Sequence, residues 1–113
     1  MLQALLRGLA GLGSQSSGSS VGFVDGEVRR AEKLALYHTP WCGYCLRVRR
    51  VIDELGLDIE LVDIGVDRAG REALIEARGR TTVPVLRMGF ADGSEAWMPE
   101  SADIVAYLRA LAQ

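Results

Sequence analysis

The 113-residue chain is sparing with the residues that carry most protein chemistry. It holds two cysteines, one histidine, three prolines and only 6% aromatic residues. A closed structural zinc site needs about four ligands, so two cysteines and one histidine leave it open, and no metal is expected. Neither sign of charge dominates: 13 basic residues face 15 acidic ones, for a net charge of −2. A nucleic-acid binder shows a basic excess, so no nucleic-acid partner is expected. No apolar run approaches the ~20 residues that a membrane-spanning helix requires. What remains is ordinary for a folded domain. Apolar residues make up 49% and charged residues 25%, enough apolar surface for one core and too short a chain for several domains.

The two cysteines are Cys42 and Cys45, with only Gly43 and Tyr44 between them. A bond between them closes a tiny loop, which removes little entropy from the unfolded chain, so the pair is a poor structural staple. Such spacing serves instead as a redox dithiol or as half of a metal site. Two inert buried thiols would leave unexplained why the pair falls where a strand gives way to a helix.

That junction is read from the surrounding pattern. Residues 1–13 place Leu2, Leu5, Leu6, Leu9 and Leu12 at helical spacing around the single charge Arg7. They suit a short amphipathic helix, a frayed tail or a weak membrane or self-association element, and show neither the charged start nor the cleavage site of a signal peptide. Residues 14–20 contain only Ser, Gln and Gly, the composition of a flexible linker. Residues 1–32 therefore read as an N-terminal extension, with a short helix over 25–33, and 33–113 as the domain. Residues 34–37 form an apolar strand. Val48, Val51, Ile52 and Leu55 make the apolar stripe of a first helix, which Gly56 ends. Residues 58–64 alternate as a second strand. Asp67 caps a helix running to Arg78, stopped by Gly79. Residues 83–88 form a third strand broken near its start by Pro84. A turn at Asp92-Gly93 leads to a fourth strand over 94–98. Ser101 caps a last helix, with Ile104, Val105, Leu108 and Leu111 facing inward. The order βαβαββα predicts an α/β fold: a four-stranded mixed sheet, its first strands parallel through a right-handed crossover, with helices on both faces.

A cysteine at a helix start meets unpaired N–H groups and the positive end of the helix dipole, both of which favour negative charge. The thiolate is the nucleophile of disulfide chemistry. Cys42, nearest the loop, is assigned as the nucleophile. Cys45 lies one turn inside the helix on the same face, and suits a resolving thiol that attacks the mixed disulfide formed at Cys42.

At this point the residues resemble a known family. The strand, the string Thr39-Pro40-Trp41-Cys42-Gly43-Tyr44-Cys45 and the later Thr82-Val83-Pro84 resemble a glutaredoxin, across residues 33–113. The resemblance implies a thioredoxin-like fold and reduction of disulfides, especially mixed disulfides with glutathione. It implies a cis bond before Pro84, with Val83 offering its backbone to an extended peptide such as glutathione. It places Tyr44 beside the glutathione groove. Glu100-Ser101 resembles the Glu-Ser of glutathione-transferase N-terminal domains, where a helix N-terminus binds the γ-glutamyl carboxylate. Many glutaredoxins carry a Gly-Gly loop and an Asp there, and Pro where Gly43 stands. Trp41-Cys42-Gly43 resembles thioredoxin, and the string through Cys45 also resembles mycoredoxins, which act on mycothiol mixed disulfides. His38 stands where a basic residue often lies in the family, and Arg80 could pair with a glutathione carboxylate; each also reads as a residue without a role.

The expected activity is a glutathione-dependent thiol–disulfide oxidoreductase, with Cys42 and Cys45 catalytic and Tyr44, Thr82, Val83, Pro84, Glu100 and Ser101 binding substrate. Its expected co-substrate is glutathione, its partners disulfide-containing proteins, and its place the reducing cytoplasm. The alternatives are a thioredoxin- or mycoredoxin-like reductase and an iron–sulfur-cluster-binding glutaredoxin-like module, which the presence of Cys45 disfavours.

Overall fold

The computed structural model describes residues 21–113. The Leu-rich segment 1–13 and the Ser/Gly stretch 14–20 lie outside the described residues. Among the described residues no helix is long and apolar enough to cross a membrane.

The elements run β1 (Phe23–Val24), β2 (Glu27–Val28), β3 (Lys33–His38), α1 (Gly43–Leu55), β4 (Glu60–Asp63), α2 (Arg68–Arg78), β5 (Val85–Gly89), β6 (Glu95–Met98) and α3 (Ser101–Leu111). The main sheet has the order β4-β3-β5-β6. β3 and β4 are parallel, as their connection through α1 requires, and β3–β5 and β5–β6 are antiparallel. The expected mixed four-stranded sheet is present.

Alternation along the strands divides the core into two layers. Leu36, Leu86, Met88 and Met98 pack against Val48, Val51 and Ile52 of α1 and Ile104, Tyr107 and Leu108 of α3. Tyr37, Val62 and Val85 point to the other face and meet Leu74 of α2. α2 approaches closely because residue 70 is glycine: a Cβ there would collide with Val62 and crowd Asp67. The caps at both ends of α2 follow the sequence reading. Asp67 accepts from the Gly70 amide at 2.8 Å, and Gly79 closes the helix at φ 73°.

Three expectations are corrected. Residues 25–33 do not form a helix. Asp25 and Gly26, at φ 52° and 79°, make the tight turn of the β1–β2 hairpin, whose register pairs Val24 with Glu27. Positive φ at both central residues is the demand of a hairpin turn, and Asp-Gly meets it. The hairpin lies on the domain: Val21, Phe23, Val28 and Ala31 pack against the larger core layer. The buried Tyr107 hydroxyl donates to the Arg29 carbonyl at 2.6 Å and accepts from the Ala31 amide at 3.0 Å. The third strand begins at Val85, not 83, because Pro84 has no N–H to donate to the ladder. Glu100, not Ser101, occupies the N-cap position of α3, and it makes no side-chain cap bond.

Candidate active site

The chain leaves β3 through residues 39–42 and enters α1 at Gly43. Cys42 takes the N-cap position in extended geometry, and its sulfur accepts the Cys45 N–H at 3.3 Å. An acceptor at this position meets one of the otherwise unpaired first N–H groups of the helix. The first turn of α1 holds no acidic side chain to oppose negative charge on that sulfur. Cys42 is half-buried and its thiol points to the Val83 carbonyl at 3.8 Å, across the cis Val83-Pro84 bond. The entry to β5 thus lies against the first cysteine.

Cys45 is fully buried. Loss of solvation, reinforced by its hydrogen bond with Cys42, pushes its thiol up to about 12, against a smaller opposing effect of the Thr39 backbone. Reduced Cys45 therefore stays a thiol at neutral pH. One cysteine is reachable and its neighbour is enclosed, the asymmetry expected of an attacking and a resolving thiol.

Beside Cys42 opens a cleft of about 340 Å³ whose walls include Tyr44, Thr82, Val83, Pro84, Glu100 and Ser101. Every residue expected to bind substrate lines it. They come from three elements far apart in sequence: the start of α1, the approach to β5 and the start of α3. Antiparallel β5 begins at the end of the sheet where β3 finishes, and β6 returns there to launch α3. Arg80 also lines the cleft, and so does Arg78, to which sequence reasoning gave no role. A signal was available: Arg78 and Arg80 flank the Gly79 that ends α2, directly before Thr82. Neither arginine has a carboxylate within ion-pair distance among the described residues. Trp41 and Tyr44 project outward, 83% and 67% exposed.

His38 is not in this cleft. It ends β3 and is 6% exposed. A larger hollow of about 470 Å³ lies on the α2 face, between Lys33, Tyr37, Asp67, Ala73, Arg87 and Glu95. It borders neither Cys42 nor any residue hydrogen-bonded to it, whereas the smaller cleft is walled by Val83, whose carbonyl faces the Cys42 sulfur at 3.8 Å. Among the described residues no cluster of three or more His, Cys, Asp or Glu could hold a metal ion.

The family described as Glutathione S-transferase, N-terminal domain matches residues 36–113. A Mycobacterium tuberculosis protein that carries a glutaredoxin name is 37% identical over 76 residues, 66% of this chain and 88% of its own length. This chain belongs to the glutaredoxin family of thioredoxin-fold proteins. Mycoredoxin 1 of Corynebacterium glutamicum is 31% identical to this glutaredoxin over 80 residues, 70% of this chain and 96% of its own. Among solved structures, the trimeric glutathione transferase TDR1 of Leishmania aligns with a TM-score of 0.54 at 33% identity, over 66% of this chain and 17% of that one. A maleylacetoacetate isomerase from Anaeromyxobacter dehalogenans, solved with bound GSH, gives a TM-score of 0.54 at 26% identity, over 71% of this chain and 38% of that one. The glutaredoxin spans well under half of either enzyme. Its own enzyme class is that of its family, thiol–disulfide oxidoreductase.

Proposed function

We propose that this glutaredoxin uses Cys42 and Cys45 as a dithiol to reduce glutathione mixed disulfides and protein disulfides, with glutathione as its reducing co-substrate. The observation that carries the reading is the Cys42 sulfur at the N-cap of α1, accepting the Cys45 N–H, at the edge of a cleft lined by Tyr44, Val83, Glu100 and Ser101. Cys42 attacks the substrate disulfide, one sulfur leaves as a thiolate, and a mixed disulfide remains on Cys42. A second glutathione then attacks the mixed disulfide, forming glutathione disulfide and freeing the Cys42 thiolate, or Cys45 attacks Cys42, releasing the bound thiol and closing a Cys42–Cys45 disulfide that glutathione reduces.

The cleft suits a small peptide that carries charge. Val83 has a carbonyl at its edge for an extended backbone. The unbonded N-cap of α3 leaves its first N–H groups without a side-chain acceptor, favourable for a carboxylate. Arg78 and Arg80 offer cations and Glu100 an anion. Glutathione bears two carboxylates and an ammonium group. A sugar-linked thiol such as mycothiol has no formal charge for those three side chains to meet. The mycoredoxin reading retains two supports of its own, the resemblance of the string around Cys42 and the relative of that name. A reducing compartment such as the cytoplasm suits a working dithiol.

The test is turnover of a mixed disulfide between glutathione and a small thiol, followed by recycling with glutathione and, separately, with mycothiol. Cys42→Ser abolishes turnover. Cys45→Ser retains it but loses reduction of protein disulfides. Activity in the Cys42 variant refutes the nucleophile, and faster recycling by mycothiol overturns the choice of thiol.

A further inference from the structure

The dithiol reading leaves one chemical requirement unmet. Cys45 must lose a proton to attack, and it is enclosed and protonated at neutral pH. Bulk water cannot reach a fully buried sulfur, so an acceptor within the fold is needed.

Among the described residues His38 is the buried polar side chain, and its Nδ1 has no hydrogen-bond partner. A buried unpaired ring nitrogen costs free energy, and in native structures such groups often serve a purpose. Its placement suggests one. Side chains alternate along β3, so His38 shares a face with Leu36, the face that α1 covers, while Tyr37 points to α2. His38 ends β3 at the end of the sheet where α1 begins, and Cys45 is the first buried position of α1. The two therefore occupy the same end of the same layer. Neither residue acts directly on the other in the resting structure, but two groups lie close to both. The Thr39 backbone acts on both the Cys45 sulfur and the His38 ring, and Arg49, one turn beyond Cys45, acts electrostatically on both. The charged groups facing His38 are Arg49 from α1 and Asp63, its register partner on β4. Asp63 directs Oδ1 to the Gly65 amide at 2.8 Å. Burial first, then Arg49, holds His38 below its ordinary value of 6.5, so the ring is neutral at physiological pH. A neutral imidazole with its hydrogen on Nε2 presents Nδ1 as a bare acceptor.

We propose that His38 is the internal proton acceptor for Cys45 in the resolving step. The inference rests on the dithiol reading above. As Cys45 attacks the Cys42 sulfur of the mixed disulfide, its S–H turns onto Nδ1, a contact the resting structure does not make, and the proton passes to the ring. The Cys42–Cys45 bond forms and the bond from Cys42 to the substrate sulfur breaks. That sulfur leaves with the electron pair as a thiolate and takes a proton from solvent. The imidazolium then returns its own proton to solvent. The dithiol is oxidised by two electrons and the substrate disulfide is reduced by two.

The experiment mixes reduced protein with glutathione disulfide and, after acid quench, counts glutathione released with time by mass spectrometry. The first release reports attack by Cys42 and the second reports resolution by Cys45. Cys45→Ser stops after the first; if wild type also stops there, the dithiol reading fails, and the His38 proposal with it. If wild type completes both, His38→Asn is expected to slow the second release by roughly tenfold or more while the first is unchanged, given what a positioned general base typically contributes. An unchanged second release in a folded His38→Asn protein overturns the proposal alone. The wild-type pH profile gives an independent reading should that variant fail to fold. With His38 as acceptor, the second-step rate is level from about pH 6.5 to 8 and falls below that range as the ring protonates. A rate that instead climbs about tenfold per pH unit across that range marks hydroxide as the acceptor and refutes His38.

Discussion

Tyr107→Phe probes how the β1–β2 hairpin is held, because it deletes one oxygen and leaves the ring. The ring is fully buried and meets Phe23 edge-on, centroids 6.1 Å apart at 86°. The substitution keeps that packing. It removes the bond to the Arg29 carbonyl at 2.6 Å and the bond from the Ala31 amide at 3.0 Å. Each is worth about 1 kcal/mol net, and because Arg29 and Ala31 are half-buried, water can partly replace the lost partner, so the cost is roughly 2 kcal/mol. If the hairpin opens as a unit, that corresponds to roughly thirtyfold faster amide exchange over residues 23–31. The global midpoint temperature falls by up to roughly 10 °C for a domain of this size. Hydrogen exchange read residue by residue, beside urea unfolding, measures both. Thiol exchange at Cys42 stays unchanged at room temperature. Exchange over 23–31 that matches wild type would show that the hydroxyl does not fasten the hairpin, and the account of how these residues join the domain would fail.

Gly43→Pro is expected to stabilise the protein by about 0.5 kcal/mol, read as a higher urea midpoint at unchanged slope, because proline restricts the unfolded chain. Gly43 is the first residue of α1, a Cβ there meets nothing within 4 Å, and Cys42 before it is already extended at φ −82°, ψ 119°, as a residue preceding proline must be. Acid should weaken the fold through His38. Its folded value lies below 6.5, so the unfolded chain takes up the proton first. The contribution is complete above pH 6.5 and is lost as pH falls through that value toward the folded one. Urea midpoints between pH 7.5 and 5.5 should drop less in His38→Asn than in wild type; equal losses would mean that burial of the ring carries no such penalty.

The legible parts of this protein are those whose signals are local. Val48, Val51, Ile52 and Leu55 announce α1 by spacing, Asp67 and Gly79 bracket α2 by capping chemistry, and Asp92-Gly93 marks a turn. The β1–β2 hairpin carried the same kind of signal in Asp25-Gly26, but its strands are two residues each, too short for alternation to register. What holds it is the Tyr107 hydroxyl, more than 70 residues away in sequence. No local pattern reports such a contact.

The site divides along the same line. Cys42 and Cys45 were legible through spacing and Pro84 through the family resemblance, and the structure gathers Tyr44, Pro84, Glu100 and Ser101 in one cleft beside Cys42. His38 could not be placed, because its neighbours Thr39 and Pro40 made the strand seem to end early. In fact β3 extends one residue further, and that single residue decides on which side of the sheet the imidazole falls. Ending β3 at Tyr37 would leave the ring in a solvated loop, free to meet a ligand carboxylate. Ending it at His38 turns the ring beneath α1, out of the cleft and into the layer that contains Cys45. A one-residue difference in strand length thus changes the reading of this histidine from a ligand contact to a group that can act on the resolving thiol.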